Sequence, residues 1–298
     1  MSERIVLFAG TANPSLAASV AAVLGVQLGA CTVERFPDGE LSVWLDDSVR
    51  RRDVFLVQPT GPPVNEHLVE LLAFTDACRR AAAARFTAVV PYFGYARSDK
   101  RHGRRGPITA SLVARLMETA GVDHIVTLDL HAAQIEGFFH IPVDELTAVP
   151  TLCDALQGGL SPETVVVSPD TGRVKMASEY AHRLGSSVAV LHKRRVSGTE
   201  TEVTHVVGDV SGRPCLIVDD MIATGGTIAT GVAALLAAGA RPEITVAATH
   251  GLFIGDAAAN LSHPAIREVV VTDSLASTRS WPRLRIASIA SLLASAIR

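Results

Sequence analysis

The stretch that spans residues 216–228 constrains the fold of this chain more than any other. It begins as an apolar run with β-branched residues, which predicts a fully buried strand. The strand ends in two adjacent carboxylates, Asp219 and Asp220, and an Ala- and Leu-rich helix runs from near Thr227 to about Ala240. Because successive strand residues point to opposite faces, the two carboxylates should act differently unless the strand has already ended.

The loop that joins this strand to its helix has the composition of a phosphate-binding turn. Its residues include Thr224, Gly225, Gly226 and Thr227. A tight loop that opens a helix leaves backbone N–H groups unpaired, with the positive end of the helix dipole behind them. Such a turn suits a phosphate, and the two carboxylates upstream could hold the hydroxyls of an attached sugar. The alternative is a plain strand–turn–helix crossover with an incidental acidic pair.

Length and charge limit the classes of protein to consider. The chain has 298 residues, enough for two ordinary domains, and its 48% hydrophobic and 19% charged composition suits an α/β protein. Its formal net charge of −3 gives no general attraction to nucleic acid or anionic membrane. We therefore expect neither partner, and any bound anion must be held by local basic clusters.

The cysteines and the N-terminus predict a cytoplasmic protein. The four cysteines are Cys31, Cys78, Cys153 and Cys215. They lie far apart in apolar contexts without metal-ligand spacing, which indicates buried free thiols in a reducing compartment. The first residues lead directly into a predicted strand without the long apolar segment of a signal peptide, and no apolar run reaches transmembrane length.

The densest positive stretch covers residues 95–106 and directly follows a strand predicted from Thr87 to Phe93. It includes Arg97, Ser98 and Asp99. Open α/β sheets place their ligands at the carboxyl ends of strands, so we interpret this stretch as a polyphosphate clamp. An exposed charged loop and a nucleic-acid patch are the alternatives, but the cluster is short and has little aromatic interleaving.

A turn at residues 35–40 lies between two short predicted strands and contains Pro37 and an Asp-Gly pair. It presents one aromatic side chain, Phe36, and two acids, Asp38 and Glu40. These side chains could contact a base and a ribose, whereas the alternative is a plain hairpin.

Two further strand ends offer metal or phosphate contacts. His131 lies two residues after Asp129, so both side chains share a face of the strand that begins at His124. Asp170 follows a strand predicted from Thr164 to Val167 and is placed to join a metal site. A structural role is the alternative for the histidine.

The loop at residues 192–200 follows a strand predicted from Val188 to Leu191. It starts basic with Lys193, Arg194 and Arg195 and continues polar and Gly-containing. This pattern is typical of a mobile lid, and an ordinary exposed hairpin is the alternative.

Strands alternate with helices through most of the chain, which predicts mainly parallel sheets flanked by helices. The plan occurs twice, so we predict two tandem α/β domains at residues 1–145 and 146–298. The last helix, from about Ile286, is a candidate to pack back on the first domain.

Several stretches together resemble the ribose-phosphate diphosphokinase (PRPP synthetase) family. They are Phe36–Glu40, Pro63–His67, Pro91–Arg97, Asp129–Gln134, Ser168–Asp170, Lys193–Arg195 and the stretch at 216–228. The resemblance implies two domains like type I phosphoribosyltransferases. It also implies transfer of the diphosphate of ATP to ribose 5-phosphate, which gives 5-phosphoribosyl 1-diphosphate (PRPP) and AMP. The implied cofactor is Mg²⁺, and the implied assembly is a homo-oligomer built from dimers.

The resemblance also assigns roles to individual residues. The residues that it implies for ATP binding are Phe36, Asp38, Glu40, Gln58, Arg97, Ser98 and Asp99, and those for the metal are His131 and Asp170. Lys193 and Arg195 match the catalytic loop. The residues that it implies for ribose 5-phosphate binding are Asp219, Asp220, Thr224, Gly225, Gly226 and Thr227. Phe36, Asp38 and Glu40 are usually supplied across a dimer interface.

Departures from the family pattern and two rival functions complete the expectations. Ala223 stands where many members have a further Asp, and the chain ends at Arg298 directly after its last predicted helix, where phosphate-activated members have a longer tail. The first departure argues against a role for a third acid in the loop, and the second argues against phosphate activation and ADP inhibition through the usual allosteric site, a question that the sequence leaves open. The rivals are a non-catalytic nucleotide-binding regulator and a phosphoribosyltransferase that acts on a nucleobase.

Overall fold

The computed structural model describes residues 5–101, 103, 105–195, 201–276 and 281–298, without the side chains of 193–195 and 201–204. The chain divides into two compact units. Unit 1 comprises Met1–Thr147, Ser274–Ala276 and Ser288–Arg298, and unit 2 comprises Ala148–Asp273 and Ser277–Ala287. Each unit is built on a mainly parallel sheet, so the predicted α/β class is confirmed.

Unit 1 contains seven strands and four α-helices among its described residues. In chain order they are β1 (Ile5–Ala9), α1 (Pro14–Leu24), β2 (Cys31–Arg35), β3 (Leu41–Leu45), β4 (Asp53–Val57), α2 (Val64–Arg80), β5 (Arg85–Val90), α3 (Thr109–Ala120), β6 (His124–Leu128), β7 (Val143–Leu146) and the final helix Ala290–Ile297. Five strands form a parallel sheet in the order β1-β4-β5-β6-β7, and β2 and β3 form a separate antiparallel hairpin.

The core of unit 1 follows from the apolar spacing of its helices. On α2, Leu68, Leu71, Phe74 and Cys78 are buried at intervals of three or four residues, which places them on one face. Phe74 meets Phe8 of β1 with ring centroids 5.9 Å apart. The buried apolar side chains each contribute about 1.5–3 kcal/mol, so this face fixes α2 on the sheet.

The final helix packs against α1 and therefore belongs to unit 1. Leu293, Ala294 and Ile297 are buried, and the Arg298 guanidinium donates to the Val23 carbonyl oxygen at 2.9 Å. The end of the chain is thus a component of the first unit's core.

Unit 2 contains seven strands and four α-helices among its described residues. They are α4 (Val149–Leu156), β8 (Val165–Ser168), α5 (Val174–Leu184), β9 (Ser187–Arg195), β10 (Thr201–Val207), β11 (Cys215–Ile222), α6 (Gly226–Ala237), β12 (Ile244–Gly251), α7 (Ala257–Asn260), β13 (Ile266–Thr272) and β14 (Leu284–Ala287). The sheet order is β10-β9-β8-β11-β12-β13-β14, and among the described strands of this sheet only β9 and β10 pair in antiparallel orientation.

Two strands of unit 2 extend further than the sequence predicts. The predicted loop start at His192 is wrong, because β9 continues to Arg195 in an antiparallel pairing with β10. The loop at 196–200 lies outside the described residues. β11 continues past the acidic pair to Ile222, because Met221 and Ile222 pair with β12. No helix in the described part of the chain is long and apolar enough to span a bilayer.

A buried carboxylate ties the β2–β3 hairpin to α2. Glu70 is fully buried, and it accepts hydrogen bonds from the backbone N–H of Thr11 at 2.7 Å and from the Thr11 hydroxyl. The Arg35 guanidinium contacts Glu70 at 3.3 Å and Glu66 at 2.6 Å. Because Arg35 ends β2, these contacts fix the base of the turn at 36–40.

We predict that Arg35→Met lowers the free energy of unfolding by about 2 kcal/mol, because it removes the cation that faces the buried Glu70 carboxylate. Glu66→Gln is the matched control, and it should cost less than about 1 kcal/mol because Glu66 is half exposed. Thermal and urea unfolding of the three proteins measure the difference. Equal losses from both variants would contradict the importance of the buried contact.

Candidate active site

The predicted residues fall into two sets, one in each unit. Most of these residues follow the carboxyl ends of parallel strands, where open α/β sheets bind ligands, whereas the turn at 36–40 joins the antiparallel strands β2 and β3. Unit 2 carries the acidic pair, the glycine-rich turn and Asp170, whereas unit 1 carries the basic loop, His131 and the hairpin turn.

The acidic pair of unit 2 is held by one arginine. The Arg173 guanidinium lies 3.5 Å from Asp219 through Nε and 2.9 Å from Asp220 through Nη2. The Asp220 backbone N–H donates to Asp219 Oδ1 at 2.9 Å. The Asp220 side chain is 2% exposed, whereas those of Asp219 and Arg173 are 14% and 16% exposed. Consecutive side chains on a strand point to opposite faces, yet the Arg173 guanidinium contacts both carboxylates.

Burial raises the pKa of Asp219 well above its usual range, and the neighbouring Asp220 carboxyl raises this pKa further. The Arg173 cation acts in the opposite direction. The Arg173 cation therefore favours the ionised form of Asp219, as does the hydrogen bond from the Asp220 backbone N–H.

The turn after β11 has the backbone of a phosphate cradle. Gly225 precedes the first residue of α6 and has a φ of 74°, in the left-handed region that favours glycine. A Cβ there would lie 3.2 Å from Asn260 Cβ. The Asn260 side chain also donates to the Thr224 carbonyl at 2.8 Å and so fixes the turn. The first N–H groups of α6 lack intrahelical acceptors, which suits an anion.

Asp170 caps the short 3₁₀ turn Thr171–Arg173 that follows β8. Its Oδ1 accepts hydrogen bonds from the backbone N–H groups of Gly172 at 2.9 Å and Arg173 at 3.2 Å. This carboxylate therefore also fixes the backbone of the arginine that holds the acidic pair.

Lys193 and Arg195 lie on β9, and their side chains fall outside the part that the structure describes. Their predicted catalytic role stays a prediction from the sequence.

The basic loop of unit 1 follows β5 and is fixed at its base. The Ser98 hydroxyl contacts the Thr109 hydroxyl at 3.2 Å and accepts from the Thr109 backbone N–H at 3.3 Å, next to the start of α3. Asp99 is buried and accepts a hydrogen bond from the Gln134 side chain. Of Arg97, Ser98 and Asp99, only Arg97 is exposed, and its side chain carries a positive charge.

The strand end after β6 places His131 at a half-buried position. Asp129 has a φ of 40°, and its N–H donates to the Leu146 carbonyl at 2.9 Å. The Leu130 N–H donates to Glu145 at 3.0 Å, so both contacts to the β7 edge fix this turn.

The hairpin turn at 36–40 is exposed and internally bonded. The Phe36 N–H donates to the Glu40 carbonyl at 2.8 Å, and the Glu40 N–H donates to the Asp38 carboxylate at 3.0 Å. The Phe36 side chain is 39% exposed, so an aromatic ring is available to a partner or ligand.

Gln58 is predicted from the sequence as a nucleotide contact. It is fully buried after β4, its Oε1 accepts from the Ala12 N–H at 3.1 Å and its Nε2 donates to the His67 carbonyl at 3.3 Å. In this conformation Gln58 supports the loop after β1, and its contact with the nucleotide stays a prediction from the sequence.

Sequence reasoning missed Arg173 as a member of the site. Arg173 lies three residues after Asp170. Its positive charge close to the end of a predicted strand is the feature of the sequence that could have identified it as a site residue. Its contact with the acidic pair depends on β8 and β11 being neighbours, which is a property of the sheet order.

The described residues contain no group of three or more His, Cys, Asp or Glu side chains arranged to hold a metal. Mg²⁺ is usually bound by one or two carboxylates together with substrate phosphates and water. The half-buried Asp170 carboxylate fits that donor pattern, with His131 as a second predicted contact in unit 1.

Comparison with known proteins gives consistent matches across the chain. The family described as the N-terminal domain of ribose phosphate pyrophosphokinase matches residues 5–121, and the phosphoribosyl synthetase-associated domain matches residues 196–298. Ribose-phosphate pyrophosphokinase of Chromobacterium violaceum is 45% identical over 99% of this chain and 91% of its own length. That of Brucella melitensis is 46% identical over 98% and 95%.

A solved structure is similar over the same length. The crystal structure of phosphoribosylpyrophosphate synthetase from Mycobacterium smegmatis has a TM-score of 0.92 and 44% identity, and the match covers 99% of this chain and 98% of that one.

We predict that Asp219→Asn raises the thermal stability of the ligand-free protein at pH 8 more than at pH 5. The pKa of the Asp219 carboxyl is raised on folding. The free energy of unfolding therefore falls as the pH rises from the pKa of this carboxyl in the unfolded chain to its pKa in the folded protein. Asn removes this penalty and keeps an oxygen for the Asp220 N–H. Melting temperatures measured from pH 5 to 8 test it, and a pH-independent difference would contradict the shifted titration.

Proposed function

We propose that this chain, which belongs to the ribose-phosphate pyrophosphokinase family, transfers the diphosphate of ATP to the anomeric hydroxyl of ribose 5-phosphate. The family predicted from the sequence is confirmed by full-length relatives at about 45% identity, and the chain is therefore a diphosphotransferase that forms PRPP. The specific substrates and residue roles below are our proposal.

The observation that carries the proposal is the acidic pair directly upstream of the glycine-rich turn. Asp219 and Asp220 supply carboxylate oxygens, and the first turn of α6 supplies backbone donors a few residues later. A sugar phosphate offers hydroxyl donors and a phosphate acceptor, which is the complementary arrangement. We assign the 5-phosphate to Thr224, Gly225, Gly226 and Thr227, and the ribose hydroxyls to the carboxylates.

The nucleotide is assigned to unit 1. Arg97 presents an exposed guanidinium that can pair with phosphate oxygens, whereas Ser98 and Asp99 hold the loop that carries it. The exposed Phe36 ring, with Asp38 and Glu40, is assigned to the base and ribose of ATP.

The reaction is a displacement at phosphorus. The anomeric oxygen attacks the β-phosphorus, the bond from that phosphorus to the oxygen bridging to the α-phosphorus breaks, and AMP leaves with that oxygen. The hydroxyl proton passes to solvent. The protein mainly has to orient the two substrates and neutralise the charge that develops on the phosphate oxygens. We assign the neutralisation to Lys193 and Arg195 of β9.

Phosphoryl transfer of this kind generally uses a divalent metal, and we propose Mg²⁺. Asp170 of unit 2 and His131 of unit 1 are each assigned as a predicted metal contact, and a bound ion would supply positive charge to the phosphate oxygens. The Asp170 carboxylate is already oriented by the N–H groups of Gly172 and Arg173.

We further propose a homo-oligomer built from dimers in the cytoplasm. The exposed turn at 36–40, on a hairpin separate from the main sheet, supports a role at a neighbouring subunit. The four free cysteines support a reducing compartment.

An assay for AMP and PRPP with ATP, Mg²⁺ and ribose 5-phosphate tests the function. We expect equal amounts of both products, with no PRPP when either substrate is omitted. ATP binding without turnover would favour a regulator. Consumption of PRPP with a nucleobase would favour a phosphoribosyltransferase.

We predict that Lys193→Ala lowers kcat by at least about a hundredfold and leaves ATP binding largely intact, because a cation that acts on developing charge contributes about 3–4 kcal/mol. Lys175→Ala removes an exposed lysine of α5 and is the matched control. Steady-state kinetics and ATP titration measure both effects. Near-normal turnover of Lys193→Ala would remove this lysine from the mechanism.

A further inference from the structure

We propose that Arg173 is a positioning residue for the pentose, and that its guanidinium orients the Asp219 and Asp220 carboxylates toward the two vicinal hydroxyls of the sugar. This inference rests on the proposed function, because it assumes that the acidic pair receives a ribose. In this proposal, Arg173 determines the selectivity of the site for ribose 5-phosphate over 2-deoxyribose 5-phosphate.

The first support is the geometry of the contact. Arg173 uses two different nitrogen atoms, Nε at 3.5 Å from Asp219 and Nη2 at 2.9 Å from Asp220. A planar guanidinium fixes the angle between the groups that it contacts, which a lysine ammonium does not do. Asp219 Oδ1 also accepts from the Asp220 N–H at 2.9 Å, so this carboxylate is held from two sides.

The second support is that the main chain fixes the arginine. Its backbone N–H donates to Asp170 Oδ1 at 3.2 Å within the 3₁₀ turn after β8. β8 pairs in parallel with β11, so the turn and the acidic pair follow neighbouring strands. The side chain is 16% exposed, which limits the freedom of its guanidinium.

The third support is electrostatic. Two neighbouring carboxylates with little exposure repel each other and tend to share a proton, and a shared proton reduces their capacity to accept hydrogen bonds. One guanidinium offsets one of the two charges. The pair then keeps acceptor oxygens for neutral hydroxyl donors, and Arg173 opposes the rise in the pKa of Asp219.

This arrangement predicts selectivity for a vicinal diol. A site whose buried polar groups are built to bind a hydroxyl rejects an analogue that lacks it, because those groups are left unpaired. Ribose 5-phosphate offers hydroxyls to both carboxylates, whereas 2-deoxyribose 5-phosphate offers one fewer. Without Arg173 the carboxylates lose their fixed orientation, and this preference should shrink.

The test compares wild type, Arg173→Ala and Arg173→Lys in steady-state kinetics with both sugar phosphates. For Arg173→Ala we expect KM for ribose 5-phosphate to rise by about 10- to 100-fold, as for a lost hydrogen bond to a charged group. KM for ATP should change by less than about twofold. The preference for ribose over 2-deoxyribose 5-phosphate should fall by about tenfold, added guanidinium ion should restore part of the loss, and Arg173→Lys should be intermediate.

Arg183→Ala is the matched control, because Arg183 lies on α5 and pairs with the half-exposed Glu179 of the same helix. It should leave both KM values and the sugar preference unchanged. An unchanged KM for ribose 5-phosphate in Arg173→Ala would overturn the proposal. Equal changes in both KM values without guanidinium rescue, together with a lower melting temperature, would also overturn it and assign Arg173 a structural role.

Direct binding separates this inference from the proposed function. If wild type forms no PRPP, the proposed function fails. Calorimetric titration with ribose 5-phosphate and with 2-deoxyribose 5-phosphate then decides the role of Arg173. Tighter binding of the ribose compound by wild type, lost in Arg173→Ala, supports the inference, and equal preference in both proteins contradicts it.

Discussion

The contact between one guanidinium and two neighbouring carboxylates is the interaction on which unit 2 depends. Asp219 and Asp220 lie at low exposure near the end of a parallel strand, where ionised carboxylates are costly unless a cation faces them. Arg173 supplies that cation, and Asp170 fixes the backbone of Arg173. The candidate metal contact and the candidate sugar contact are thus linked through a single residue. A change at any of these positions should affect the others.

Sheet geometry explains why these residues meet. The carboxyl ends of β8 and β11 are neighbours, so short loops after each strand bring together side chains that are about 50 residues apart in sequence. In unit 1 the loops after β5 and β6 serve the same purpose, and Asp99 contacts Gln134 across them. The hairpin turn at 36–40 is positioned differently, through the buried Glu70 carboxylate and Arg35. In each unit, regular backbone sets the position of the loops, and the polar contacts fix their shape.

The sequence was most informative where chemistry and secondary structure coincide. The stretch at 216–228 combines a β-branched strand, carboxylates and glycines, so its strand–turn–helix form was predictable from local rules. The end of β9 was not, because strand pairing with β10 overrides the polar character of residues 192–195. Arg173 was missed for a similar reason, since its partners lie more than 40 residues away. Gln58 matches a family position, yet its burial follows from contacts with Ala12 and His67 that no local pattern specifies.

The central claim is that the glycine-rich turn of unit 2 receives the phosphate of the pentose. Amide hydrogen exchange measured with a non-hydrolysable ATP analogue, with and without ribose 5-phosphate, tests it most directly. We expect ribose 5-phosphate to slow exchange at residues 223–228, which form the turn and the first N–H groups of α6, beyond any effect of the analogue alone. Unchanged exchange in this turn, with protection confined to other segments, would contradict it.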